Sequence, residues 1–116
     1  MHWYQYSIEG TRRFRALKLW MSWKHLGTEG FARLVEHNDD LAAHLARRAR
    51  EAGFEVIDPE LSVVCFRAVP VGLDPGRLNE HQKKLQRALE ISGVGWVSTT
   101  TLRGQTWLRA GVVNYL

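Results

Sequence analysis

Residues 10–27, GTRRFRALKLWMSWKHLG, constrain the fold of this chain more than any other stretch. They carry five cations and no acidic residue, set among tryptophans, leucines, a phenylalanine and a methionine. On a helical projection Arg15, Lys18, Ser22 and His25 gather within a sector about 80° wide, and large apolar side chains occupy much of the remaining circumference. We therefore predict a helix over residues 12–26 that ends at Gly27 and needs burial on almost every side.

This helix does not have the pattern of a surface-binding helix. A membrane-surface helix has a wide basic face opposite a clean apolar one, and here the proportions are reversed. A nucleic-acid-binding helix keeps its arginines on the outward side, whereas Arg12 and Arg13 fall among the tryptophans.

The final stretch, VVNYL, reads as the end of a strand with no covering element after it. Because intact domains avoid uncovered strand edges and broad apolar faces, we expect a chain that is part of something larger.

Two further helices are predicted from capping residues and apolar spacing. Thr28 as N-cap and Glu29 in the first turn begin one helix, and Gly53 ends it. Its predicted buried stripe comprises Phe31, Leu34, Leu41, Leu45 and Ala49. Asp74 as N-cap and Pro75 at N1 begin another helix, which Gly93 ends. Its predicted buried face comprises Leu78, Leu85 and Leu89.

Four β-rich segments complete the predicted fold. FEVI and SVVCFRAV read as strands, and the second, apolar in both alternating sets, is predicted to be central. The segment WVSTTTLRGQTWLRAGVVNY reads as two strands joined at RGQ. The order α-α-β-β-α-β-β predicts one α+β domain over residues 1–116, with a small antiparallel sheet of about three to four strands and helices packed on one face.

Composition excludes several classes of protein. The chain has 116 residues, of which 45% are hydrophobic and 24% charged, typical of one globular domain. The net charge of +4 is weakly segregated, since residues 1–52 have nine Lys/Arg against six Asp/Glu and residues 53–116 have seven against six. One cysteine, Cys65, allows no intramolecular disulfide. Without a signal-peptide pattern or a membrane-length apolar run, we expect a soluble, cytoplasmic protein.

Three motifs carry a resemblance to a known family. RRFRALKLW, VVCFR and WLRAGVVN resemble the C-terminal region of the pyridoxal-phosphate-dependent group II decarboxylases, the aromatic-L-amino-acid, histidine and glutamate decarboxylase relatives of the type I aminotransferase fold. The resemblance covers about residues 4–114. It implies a small domain that packs against a large cofactor-binding domain and across the interface of a homodimer, in an enzyme that is a carboxy-lyase of amino acids.

The resemblance also implies a substrate contact. Arg12 matches the first arginine of the family's arginine-rich helix start, which in the glutamate decarboxylase branch holds the α-carboxylate of the substrate. A guanidinium can bind a carboxylate through two parallel hydrogen bonds, which a lysine cannot reproduce. Arg12 could instead cap local backbone or pair with an acid of the large domain. The chain has GTRR where close relatives often have GRR, so Thr11 alters the spacing.

The cofactor of the complete enzyme would be pyridoxal 5'-phosphate, bound through a lysine that in the family follows a histidine. This chain contains no His-Lys pair and no glycine-rich phosphate loop. In the family that it resembles, both lie upstream of the matched region. We therefore expect no cofactor bound to this chain and no activity by itself. It would be a fragment or a separately encoded domain, whose partners are the large domain, a second subunit and the amino-acid substrate, with neither nucleic acid nor membrane.

Two other functions stay open at this point. The chain could be a small-molecule-sensing α+β regulatory module whose sheet pairs with a second copy, or its arginine-rich helix could bind nucleic acid with strong salt dependence. Other candidate sites are weak. His37 and His44 lie about 10 Å apart along one helix face, too far for one metal ion. Cys65, in an apolar strand, is expected to be a buried thiol rather than a nucleophile.

Overall fold

The computed structural model describes residues 14–113. Two compact units divide between Arg33 and Leu34. The elements in order are α1 (Ala16–Glu51), β1 (Glu55–Ile57), β2 (Val63–Arg67), α2 (Leu78–Ser92), β3 (Ser98–Leu102) and β4 (Gln105–Gly111). The predicted α+β class and element order are confirmed, since α1 is interrupted where two helices were expected.

The interruption of α1 lies at Gly27. Its φ of 66° and ψ of 178° are outside the helical region, in a conformation that glycine reaches without a Cβ penalty. The predicted break at Gly27 is therefore confirmed. Helical residues continue on both sides of Gly27, so α1 consists of two helical segments joined at a kink. The predicted helix start at residue 12 lies outside the described residues.

Alanines form the buried stripe of α1 in the second unit. Ala42 and Ala46 are fully buried, whereas Leu41 is 40% exposed and Leu45 only partly buried. The predicted leucine stripe was therefore wrong in part. Alanine lets a helix axis approach a sheet closely, and this tertiary fit outweighed the leucine spacing. The predicted helix end is confirmed, because Gly53, with φ 84°, forms the paired hydrogen bonds of a Schellman motif.

The sheet has four antiparallel strands in the order β1-β2-β4-β3. The predicted central position of β2 is confirmed. Arg103 and Gly104 connect β3 to β4 with φ values of 52° and 76°, so both residues of the connection have the positive φ of a type I′ hairpin turn. The hairpin predicted at RGQ is confirmed.

One face of the sheet carries the main core. Val64 packs with Ala42 and Ala46, and Val56 and Phe66 pack around them. Because side chains alternate along a strand, the residues between these positions point to the other face. We call that other face the Trp107 face, after its most buried aromatic residue.

The beginning and buried face of α2 differ from expectation. Asp74 is the N-cap and Pro75 the first residue of a 3₁₀ turn, Pro75–Arg77, so these predicted positions are confirmed. The α-helix itself begins only at Leu78, and the Asp74 side chain makes no capping hydrogen bond. Gln82 is the buried residue of α2, whereas the predicted leucines are only partly buried. The end at Gly93 is confirmed by its φ of 70°.

Candidate functional site

Arg12, the predicted carboxylate ligand, lies outside the described residues together with Thr11 and Arg13. Its role therefore stays a prediction. The described residues present three other features with functional chemistry: a part-buried ion pair, a surface cleft and an exposed apolar helix surface.

A part-buried ion pair lies on the Trp107 face. Strand pairing places Glu55 opposite Arg67 and Trp107 opposite Thr100, and Arg67 and Trp107, which are in contact, come directly after the last β2–β4 pair. These side chains therefore form one row across all four strands.

Arg67 is the centre of this row and is only 7% exposed. Its Nη2 and Nε atoms donate to Glu55 Oε2 at 2.7 and 3.1 Å. The guanidinium carbon lies 5.0 Å from the centroid of the Trp107 ring. The buried charge is therefore compensated by a carboxylate on one side and an aromatic surface on the other.

A surface cleft of about 470 Å³ opens over the same tryptophan. Its lining residues are Ile57, Leu102, Arg103, Gln105 and Trp107. Three of them are apolar, while Arg103 and Gln105 supply a cation and an amide at the hairpin end. Such a lining can accept an apolar side chain next to a hydrogen-bond acceptor or an acid.

A second row on the Trp107 face contains Cys65 opposite Arg109. Burial raises the pKa of the Cys65 thiol, and the positive charge of Arg109 partly opposes this shift. The thiol therefore stays protonated at neutral pH and is a poor nucleophile. This direction agrees with the expectation of a structural cysteine.

The exposed apolar surface lies in the first unit, on the beginning of α1. We call it the α1 apolar surface; its members are Phe14, Leu17, Leu19, Trp20, Met21, Trp23 and Leu26, all exposed. Trp23 stacks on Phe31 at a centroid distance of 4.9 Å, and the Lys24 ammonium lies 5.9 Å from the Trp20 ring. A set of this size is typical of a surface that another protein surface covers.

The described residues do not fit a pyridoxal phosphate site. Such a site needs a lysine amine held inside a pocket, beside an acid for the pyridine nitrogen and a phosphate cradle. The four lysines, Lys18, Lys24, Lys83 and Lys84, are all on exposed helix surface, and Lys84 pairs with Glu80. No step of pyridoxal chemistry is therefore assigned to these side chains.

Residues 14–113 contain neither a metal-binding cluster nor a membrane-spanning helix. No group of three His, Cys, Asp or Glu side chains in that range could hold a metal ion. No helix in the same range is long and apolar enough to cross a membrane. His37 and His44 both lie on exposed positions of α1.

The described residues form helices and a four-stranded antiparallel sheet, an α+β arrangement. Residues 1–69 match the sequence model of the pyridoxal-dependent decarboxylase conserved domain. The chain therefore belongs to the pyridoxal-dependent decarboxylase family.

Individual relatives give the same result. Tyrosine decarboxylase 2 of Arabidopsis thaliana is 36% identical over 92% of this chain and 20% of its own length. An aromatic-L-amino-acid decarboxylase of Bacillus atrophaeus is 36% identical over 92% of this chain and 23% of its own length. The crystal structure of Catharanthus roseus tryptophan decarboxylase in complex with L-tryptophan superimposes with a TM-score of 0.78 and 28% identity, covering 97% of this chain and 24% of that one. The chain thus spans between a fifth and a quarter of these relatives.

Sequence reasoning missed the row of Glu55, Arg67 and Trp107. Its one available signal was Arg67 itself, a cation at the end of an otherwise apolar central strand. The partners could not be identified from the sequence, because they lie on different strands and their proximity depends on register.

Proposed function

We propose that this chain acts as the C-terminal small domain of a pyridoxal-phosphate-dependent amino-acid decarboxylase, a cytoplasmic carboxy-lyase. The observation that carries the proposal is the match along 92% of this chain to only 20% of a tyrosine decarboxylase. The cofactor, its lysine and the bond-breaking step would belong to a large domain. The small domain would help to bind the substrate carboxylate and to complete the active site of a homodimer.

The α1 apolar surface supports a role in assembly. Its seven large side chains are exposed, although a soluble domain rarely leaves so many together in water. Its neighbouring cations, Arg15, Lys18 and Lys24, would suit a partner with acidic residues around an apolar centre. We propose that a large cofactor-binding domain and the second subunit cover this surface.

The cleft over Trp107 supports a second contact with another protein surface. Arg67 packs against the Trp107 indole, and Arg103 supplies a cation where the cleft meets the hairpin turn. An apolar side chain of the large domain, flanked by an acid, would fit this lining. An ordered aromatic floor lowers the entropy lost on docking.

Arg12 is proposed as the ligand of the substrate α-carboxylate. The relatives are named for tyrosine, aromatic amino acids and tryptophan, all of which carry that group. A charge-assisted contact of this kind contributes about 1.5–3 kcal/mol, so loss of the guanidinium should weaken substrate binding by about 10- to 150-fold.

The test uses the chain assembled with its cofactor-binding part. Arg12→Met should raise KM by about 10- to 150-fold and Arg12→Lys should restore only part of it, because an ammonium lacks the planar fork. Arg33→Met is the matched control, since Arg33 makes only an exposed pair with Glu29 at 3.7 Å. Unchanged KM and kcat in Arg12→Met, with normal cofactor absorbance, would rule out the carboxylate role while leaving family membership intact.

Assembly is measured separately from catalysis. Trp20→Glu and Leu102→Asp should each weaken association with the cofactor-binding part at least tenfold in a pull-down titration, whereas Val71→Asp, on a fully exposed loop residue, should not. If all three variants associate equally well, neither surface is a docking site. Tight binding of a free amino acid to this chain alone would instead support the regulatory-module alternative.

A further inference from the structure

The ladder between the two central strands stops one pair before the strands end. The register runs from Val63 opposite Gly111 to Phe66 opposite Leu108. The Val112 N–H donates to the Ser62 carbonyl at 2.7 Å, which identifies every second pair as a hydrogen-bonded one. The next hydrogen-bonded pair would be Ala68 with Thr106.

Side chains of α2 form hydrogen bonds with these backbone groups instead. The Ala68 N–H donates to Gln82 Oε1 at 3.0 Å, and Gln82 Nε2 donates to the Ala68 carbonyl at 2.8 Å. The Thr106 N–H donates to Asn79 Oδ1 at 2.7 Å. Asn79 Nδ2 also donates to the Gly104 carbonyl at 3.1 Å, in the β3–β4 turn.

A side-chain amide can replace a peptide group because both have one carbonyl acceptor and N–H donors. Gln82 is fully buried, so its hydrogen bonds are made without competition from water. Buried backbone groups must be paired, and these two side chains pair them without requiring β2 and β4 to stay at ladder distance. The strands can therefore diverge beyond Phe66 and Leu108.

The diverging part of β4 carries residues of the cleft. Trp107 and Gln105 flank Thr106, and Leu102 and Arg103 precede them in the chain, on the other side of the hairpin turn. We infer that Gln82 and Asn79 are positioning residues, a wedge between β2 and β4 that sets the shape of the cleft over Trp107. The wedge would set this shape whatever occupies the cleft.

The test measures backbone amide exchange and the Trp107 indole N–H signal by NMR. Gln82→Met should speed exchange of the Ala68 amide, and Asn79→Leu that of the Thr106 amide, each at least tenfold. Both variants should shift the Trp107 indole signal. Gln86→Met is the matched control, because Gln86 also carries a side-chain amide on α2 but donates to the Val97 carbonyl, away from the wedge.

Two results would overturn the inference. One is acceleration at Ala68 and Thr106 no greater than at Val64 and Leu108, which would mean a general loss of stability. The other is a Trp107 indole signal that moves no more in the wedge variants than in Gln86→Met. If Gln82→Met does not fold, Asn79→Leu decides the question alone, since Asn79 is exposed.

Discussion

Replacing Arg67 by methionine tests whether the buried row on the Trp107 face stabilises the domain. Methionine keeps an unbranched apolar side chain and removes the charge, both hydrogen bonds to Glu55 and the contact with the indole. The arginine side chain is 9% exposed and that of Glu55 is 50% exposed, so the pair lies between the surface and buried cases. Glu55 can recover water when its partner is lost, which limits the penalty.

The magnitude follows from these contacts. A half-exposed charge-assisted pair should contribute about 1–2 kcal/mol, between the surface and buried values. The partly desolvated cation–π contact adds about 1 kcal/mol. We therefore expect Arg67→Met to lower the free energy of unfolding by about 2–3 kcal/mol. Arg67→Lys should lose less, because it keeps the charge but not the two-atom donor geometry.

Urea unfolding monitored by far-UV circular dichroism measures the change, provided that the m-value is unaltered. A double-mutant cycle with Glu55→Gln isolates the ion pair and should give a coupling energy of about 1 kcal/mol. Arg48→Met is the control, because the Arg48–Glu51 pair has side chains 68% and 53% exposed and should contribute less than about 0.5 kcal/mol. The reasoning is refuted if Arg67→Met costs no more than this control, or if the cycle gives no coupling.

Two further predictions concern the hairpin and the thiol. Gly104→Ala should cost about 1 kcal/mol in urea unfolding because Gly104 has a φ of 76°, whereas Gly95→Ala, in open space without a positive φ, should be near neutral; equal costs would contradict the turn assignment. Iodoacetamide should alkylate Cys65 more slowly in the folded chain than in urea, with a higher pH midpoint, and Arg109→Gln should raise that midpoint further. Because the folded pKa is the higher one, the stability linked to this thiol is present below the unfolded pKa and is lost as pH rises through the folded pKa. Equal alkylation rates in folded and unfolded chains would show that Cys65 is not shielded.

Local chemistry was enough to predict most of the fold. Gly27, Gly53 and Gly93 mark breaks or ends of helical segments because each adopts a positive φ that other residues avoid. The Arg103–Gly104 turn was likewise visible as RGQ, and the apolar residues in both alternating sets of SVVCFRAV placed β2 in the sheet interior. These features depend on a few neighbouring residues, so the amino-acid sequence specifies them directly. Three short motifs also carried the resemblance to the decarboxylase family.

Only the tertiary structure decided which side chains are buried and which meet. Ala42 and Ala46 rather than Leu41 face the sheet, because close approach of a helix depends on the shape of its partner and not on hydrophobicity alone. Gln82 was unremarkable in the sequence, yet it is fully buried and completes the end of a strand fourteen residues away. Arg67, Glu55 and Trp107 come from three strands, and only the assembled sheet brings them together. Pairing across a sheet joins residues distant in the chain, so local pattern cannot specify it.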